Sequence, residues 1–111
     1  MGDKDNLGQL EHLVLLAVLH LDDQAYAVPV VDQIRERTGR KVARAQVYIA
    51  LRRLERHGVV SSKLSEPVAE RGGRPRRYFR VEPTGLALLR DSRRSIDQMW
   101  AGLEGLIEEQ S

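Results

Sequence analysis

The sequence predicts a mainly α fold with a small β-hairpin, closed by a long C-terminal helix. Three observations carry this reading. Apolar residues recur at helical spacing from Leu7 to Gly58, the period drops to two between Val59 and Val81, and a near-heptad seam follows Pro83. With 111 residues there is room for one small domain. A chain of that length buries only about 60–65 % of its unfolded surface, so a partner subunit is a natural source of further core.

The elements follow in order. Leu7, Leu10, Leu13, Val14, Ala17, Val18 and Leu21 mark a first helix over about Leu7–Leu21, and Leu15, Leu16 and Leu19 supply a second apolar face. Such a helix has to be covered on more than one side. Asp22, Asp23 and Gln24 end it. Pro29 suits the first turn of a second helix, with Val30, Val31 and Ile34 inward and Gly39 as its stop. Lys41 and Val42 read as a short strand. A third helix runs from about Arg44 to His57 with one apolar stripe, Val47, Ala50, Leu51 and Leu54, and Gly58 ends it. At 100° per residue, Ala45, Tyr48, Ile49, Arg52 and Arg56 fall on the opposite face. Alternation in Val59–Leu64 and in Arg76–Val81, around a tip from Pro67 to Pro75 with Gly72-Gly73, predicts a hairpin. Pro83 forbids further ladder and Thr84 is a suitable N-cap for a last helix reaching Gln110, about 40 Å long. Leu89, Ile96, Met99, Leu103 and Leu106 form its seam, widened by Trp100 and Ile107. Three helices, a two-stranded wing and a long last helix make a winged helix-turn-helix. The boundaries expected are a flexible N-terminus over 1–6, the winged domain over 7–83 and a C-terminal dimerisation helix over 84–111.

Charge points to the partner. The formal net charge is only +2, yet Arg35–Arg80 holds fourteen basic residues against four acidic ones, a local net of +10, while the flanks carry −8. That asymmetry suits a polyanion bound by the middle of the chain. Fifteen of the eighteen basic residues are arginine, the better fork for phosphate and guanine edges. The competing reading is a set of solvated faces balanced by surface acids. There is no cysteine, which removes disulfide scaffolds, thiolate nucleophiles and sulfur-based zinc fingers. The longest apolar run, Leu13–Leu19, is far below the roughly 20 residues a bilayer needs. No signal-peptide pattern opens the chain, so a reducing cytoplasm is the expected compartment, with association to the nucleoid when bound to DNA. His12, His20 and His57 are scattered and no catalytic set assembles around them. Neither an enzyme, a metal nor a cofactor is expected.

Four segments carry a more specific likeness: Leu7-Gly8-Gln9-Leu10-Glu11 with Leu15-Leu16-Ala17; Val47-Tyr48 with Ala50-Leu51-Arg52-Arg53-Leu54-Glu55 and Gly58; Gly73-Arg74-Pro75-Arg76-Arg77-Tyr78-Phe79; and Val81 with Pro83-Thr84-Gly85. Together they resemble the PadR family of bacterial transcriptional regulators, in its short form with a single C-terminal dimerisation helix, over about residues 7–107. Two departures stand out. Ala45-Gln46 replaces the family's usual Gly-Thr before Val-Tyr, exchanging a small hydroxyl for an amide able to reach a base edge. Tyr26-Ala27-Val28-Pro29-Val30 replaces the common Tyr-Gly-Tyr-Glu-Ile, so the second helix is expected to start differently.

The resemblance implies a sequence-specific DNA-binding regulator, in the first instance a repressor, acting as a homodimer on an inverted-repeat operator. In such a fold the third helix enters the major groove and the wing follows the backbone or a minor groove. Lys41, Arg44, Ala45, Gln46, Tyr48, Ile49, Arg52 and Arg53 are then the DNA contacts of the helix, with Arg71, Arg74 and Arg76 on the wing. Tyr48 has an alternative role as a packed aromatic with its hydroxyl at the surface. Leu10, Val14, Leu89, Ile96, Leu103, Leu106 and Ile107 are the expected dimer interface. Relatives of the short form hold flat aromatic molecules between their last helices, which makes Met99, Trp100 and Leu103 candidates for an effector site. For Trp100 the alternative is plain interface packing. A winged-helix protein-interaction adaptor that does not bind DNA specifically is the other reading, and salt-dependent retention on duplex DNA separates the two.

Overall fold

A computed structural model describes residues 7–67 and 72–106. The expected N-terminal segment 1–6, Arg71 at the hairpin tip and Ile107 near the C-terminus lie outside these residues.

Helix α1 spans Gln9–Leu21, and the Gly8 N–H donates to Glu11 Oε1 at 3.0 Å to tie its first turn. Val14, Leu15, Ala17 and Val18 are buried, while Leu16 and Leu19 remain exposed. A 3₁₀ turn over Asp22–Gln24 leads to α2, Ala27–Thr38, whose first turn holds Pro29 as the sequence predicts. Gly39 ends α2 at φ +76°, a conformation costly for residues with a Cβ, and its N–H donates to Arg35 O. The strand expected at Lys41–Val42 does not form. These residues lie in the link from α2 to α3, and the sheet among the described residues has two strands, neither of them there. An extended pair without a ladder partner gains no hydrogen bonds that would keep it a strand.

Helix α3 spans Arg44–Arg56, and its stripe Val47, Ala50, Leu51 and Leu54 is buried throughout. Strands β1, Val60–Leu64, and β2, Arg77–Val81, pair antiparallel from Val60↔Val81 to Leu64↔Arg77. The Phe79 N–H donates to Ala25 O at 2.8 Å, docking β2 on the link between α1 and α2. One core results, with Val14, Leu15 and Val18 against Val30, Ile34, Val47, Leu51, Leu54, Val59 and Phe79.

Helix α4 spans Pro83–Trp100 and departs from expectation at both ends. Its N-cap is Glu82 rather than Thr84, because Pro83 takes the first helical position, where its missing N–H costs nothing. Thr84 instead donates its hydroxyl to Gly58 O at 2.6 Å. At the far end the helix stops at Trp100 and does not continue to Gln110. The backbone leaves the helix at Ala101 (φ −52°, ψ 126°) and turns through Gly102 at φ +88°, with the Leu103 N–H donating to Trp100 O at 2.8 Å, and helix is regained only at 104–106 within the described residues. The seam read as continuous is thereby divided, with Leu89, Ile96 and Met99 before the break and Leu106 after it.

Gly85 fixes where α4 sits. A Cβ there would stand 2.6 Å from Val59 O and 2.8 Å from Val81 Cγ1. The helix therefore lies directly against the root of the hairpin. Gly85→Ala is expected to lower stability by about 1–3 kcal/mol through overpacking against backbone, outweighing the gain of up to about 1 kcal/mol in helix propensity. Urea unfolding of the two proteins measures this; an alanine variant as stable as the parent would contradict the close approach.

Candidate nucleic-acid interface

Because α3 buries Val47, Ala50, Leu51 and Leu54, its remaining positions are forced outward. Arg44, Ala45, Gln46, Tyr48 and Ile49 are all exposed, Ile49 at 66 %, and Lys41 is exposed in the link just before the helix. Two of these side chains already have local tasks. Gln46 Oε1 accepts the Ala43 N–H at 3.2 Å, closing the first turn of α3, and its amide NH₂ is the group left for a base or phosphate. Tyr48 combines both roles open to it: its ring stands edge-on to Phe79 with centroids 6.3 Å apart, and its hydroxyl accepts a hydrogen bond from Arg52 Nη1 at 3.1 Å. Arg53 turns to α1, where Glu11 Oε2 lies 3.8 Å from its Nε, so part of its charge is met inside the protein.

The hairpin brings the second set of cations to the same side. Arg44, Tyr48, Arg74, Arg76 and Arg77, with Tyr26, Ala27, Val28 and Pro75, line an open cleft of about 380 Å³ between α3, the start of α2 and the segment that leads from the wing loop into β2. Arg76 stacks on Tyr26, its guanidinium carbon 4.2 Å from the ring centroid, and Tyr78 meets the same ring edge-on at 5.3 Å. Arg77 Nη1 donates to Ser62 Oγ at 2.8 Å. Sequence reasoning missed Tyr26 and Arg77. Their signal was present but faint: Tyr26 is an aromatic N-cap where a Ser, Thr, Asp or Asn is the usual choice, and Arg77 heads the alternating set that also contains Phe79.

The dimer candidates divide. Val14 and Leu89 are buried in the protomer's own core, so they are not available to a partner; periodicity shows that a face is apolar, not which neighbour covers it. Leu10 packs half-buried against that core. Ile96, Leu103 and Leu106 are exposed, as are Met99 and Trp100 and, on α1, Leu16 and Leu19. A groove of about 530 Å³ runs between α1 and α4, with Leu13, Leu16 and Ile96 on its walls, and Ser92 Oγ shares a hydrogen bond with His12 Nδ1 across it at 3.2 Å. Among the described residues no three His, Asp or Glu side chains cluster to hold a metal ion, and no helix is long and apolar enough to cross a membrane.

A basic helix offered outward beside a basic wing is the equipment of a winged-helix DNA-binding regulator. The comparisons with known proteins give the family. The model of the transcriptional regulator PadR-like family matches residues 15–91, and the chain belongs to that family. Among solved structures it is similar to a PadR family regulator from Eggerthella lenta, with 28 % identity and a TM-score of 0.68 over 86 % of this chain and 81 % of that one. A PadR family regulator from Clostridium difficile shares 21 % identity at a TM-score of 0.64, covering 92 % and 97 %. Bordetella bronchiseptica BpsR, described in connection with regulation of its DNA binding by 6-hydroxynicotinic acid, shares 25 % identity at a TM-score of 0.57, covering 93 % and 71 %. No protein with a curated description matches the chain. The chain is a DNA-binding transcriptional regulator of this family.

Proposed function

We propose that two copies of this chain pair through α1 and α4 and bind an inverted-repeat operator as a repressor. Residues 7–83 form the DNA-binding domain and 84–111 the dimerisation segment. The observation that carries the DNA reading is the convergence of Arg44, Tyr48, Arg74 and Arg76 on one cleft beside the exposed face of α3. In this reading α3 enters the major groove, where Arg52 and the free amide of Gln46 address base edges and Ile49 meets a thymine methyl. Lys41, Arg44 and the wing arginines Arg71, Arg74 and Arg76 take phosphates, Ala45 allows close approach of the backbone, and Arg53 stands at the rim. Two α3 helices related by a twofold read half-sites about one turn, roughly 10 bp, apart.

Selection from a randomised duplex pool tests the whole reading. An enriched palindrome, bound with a steep salt dependence, is the expected result. A pool that never enriches would instead identify an interaction adaptor that keeps the fold without reading DNA.

The same reading includes an effector. Met99, Trp100 and Leu103 are exposed where α4 ends, and Gly102 beside them carries no side chain to fill the space. BpsR, a relative whose structure bears on control of DNA binding by an aromatic acid, supports a planar aromatic ligand stacking on Trp100 between the two subunits. Trp100 is the only tryptophan, so fluorescence reports on it directly. Titration with hydroxylated aromatic acids and planar aromatic cations is expected to quench its emission and weaken operator binding together, as linkage requires. Quenching without any change in operator affinity would make Trp100 interface packing alone.

A further inference from the structure

Arg52 is not a loose side chain. Its Nη1 donates to Tyr48 Oη at 3.1 Å on one side, and its Nε lies 3.2 Å from Glu55 Oε1 on the other. The Nε–H is not aligned on that oxygen, which is buried and makes no hydrogen bond, so the pair is held by charge. Beyond Glu55 the connection continues into the hairpin. Ser62 Oγ donates to Glu55 Oε2 at 2.5 Å and accepts from Arg77 Nη1 at 2.8 Å. Tyr48 in turn rests edge-on against Phe79 of β2. Two routes thus run from the Arg52 guanidinium to the hairpin, one through a carboxylate and one through an aromatic ring.

The carboxylate is costly where it stands. It sits on the helix offered to a polyanion, inside a stretch whose net charge is +10, and it repels every phosphate that approaches. A carboxylate present only for solubility would point into water, whereas Glu55 turns inward to Ser62 and Arg52. Its geometry has a function that its charge alone does not explain. An arginine free to swing meets the nearest phosphate, and every duplex of any sequence supplies one. A held arginine gains only where a base presents acceptors in the right place.

We propose that Glu55 is a specificity-determining positioning residue: it fixes Arg52 in the conformer that addresses base edges and, through Ser62, ties that conformer to the hairpin. This rests on the assignment of Arg52 as a reader of bases. Glu55 lowers affinity for DNA in general and raises discrimination between sequences.

The test compares two duplexes, one enriched by the parent protein from a randomised 24-bp pool and one of the same composition in scrambled order. Glu55→Gln keeps the size and the Ser62 contact but removes the charge. It is expected to bind the scrambled duplex as tightly as the parent or more tightly and the enriched duplex more weakly, lowering their ratio roughly five- to tenfold. Ser62→Ala, which leaves every α3 side chain in place, is expected to lower the ratio about two- to threefold and decides the matter if Glu55→Gln fails to fold. The double variant Arg52→Ala/Glu55→Gln is expected to discriminate no worse than Arg52→Ala alone. Equal weakening on both duplexes, or an unchanged ratio, overturns the proposal. If Arg52→Ala leaves the ratio unchanged, the assignment of Arg52 falls and this proposal with it. If Arg52→Ala lowers the ratio while Glu55→Gln and Ser62→Ala do not, only the role of Glu55 is lost.

Discussion

Ile96→Asp is expected to convert the protein from a dimer to a folded monomer. Ile96 is 54 % exposed in the single chain, so an aspartate there finds water and leaves the protomer intact. In the proposed dimer the same position is covered by the partner, and an unpaired buried charge costs about 3–5 kcal/mol, counted twice by the twofold. The dimer dissociation constant should therefore rise at least about 10⁴-fold. Light scattering at micromolar concentration reads the mass, and circular dichroism shows whether the helices persist. Leu89→Asp provides the contrast. Leu89 is buried among the core residues of its own chain, so that variant should lose helix as well as association. A dimeric Ile96→Asp protein would remove α4 from the interface.

Arg52→Ala is the second large effect. Losing one good base contact costs about 1–3 kcal/mol, and symmetry removes two per operator, so binding to the selected duplex should fall by roughly two to four orders of magnitude. Random duplex should be bound almost as before. Arg74→Ala should behave the other way, weakening all sequences alike and reducing the slope of binding against salt, because a wing arginine on a phosphate releases counterions regardless of sequence. Fluorescence anisotropy over a series of salt concentrations distinguishes the two patterns. Equal loss at Arg52 on both duplexes would mark it as a backbone contact.

The parts legible in the sequence are those decided by local rules. The apolar stripe of α3 follows from the 3.6-residue period, Gly39 and Gly58 end their helices at positive φ, and alternation around Phe79 marks the hairpin. The parts that were not legible depend on a neighbour far away in the chain. Val14 and Leu89 carry a dimer pattern, yet the single chain uses them for its own core. Thr84 has the chemistry of an N-cap, but Pro83 claims the first helical position and leaves Thr84 to bond Gly58 O. The seam of α4 keeps its rhythm across Gly102, because a heptad count registers apolar spacing and is blind to one residue at positive φ. Gln46 and Arg53 appear in sequence as free polar groups on a reading helix, while the fold engages one in a cap and the other with Glu11. Tyr26 and Arg77 join the candidate interface only because β2 docks on the α1–α2 link.

The seat of Gly85 against Val59 makes α4 a lever with its fulcrum at the hairpin root. The Glu82 N–H donates to Val59 O at 2.9 Å, and Thr84 Oγ1 bonds the carbonyl of Gly58, the residue that closes α3. Reading helix, wing and lever arm are thus fastened within a few residues of one another. The arm is 18 residues, or about 27 Å, long. A swing of about 5° at the fulcrum displaces its far end by roughly 2 Å over that length. Viewed from the far end, holding two such arms at a new crossing angle in the proposed dimer would turn each helix-and-wing unit as a rigid body and reset the distance between the two α3 helices without repacking either core.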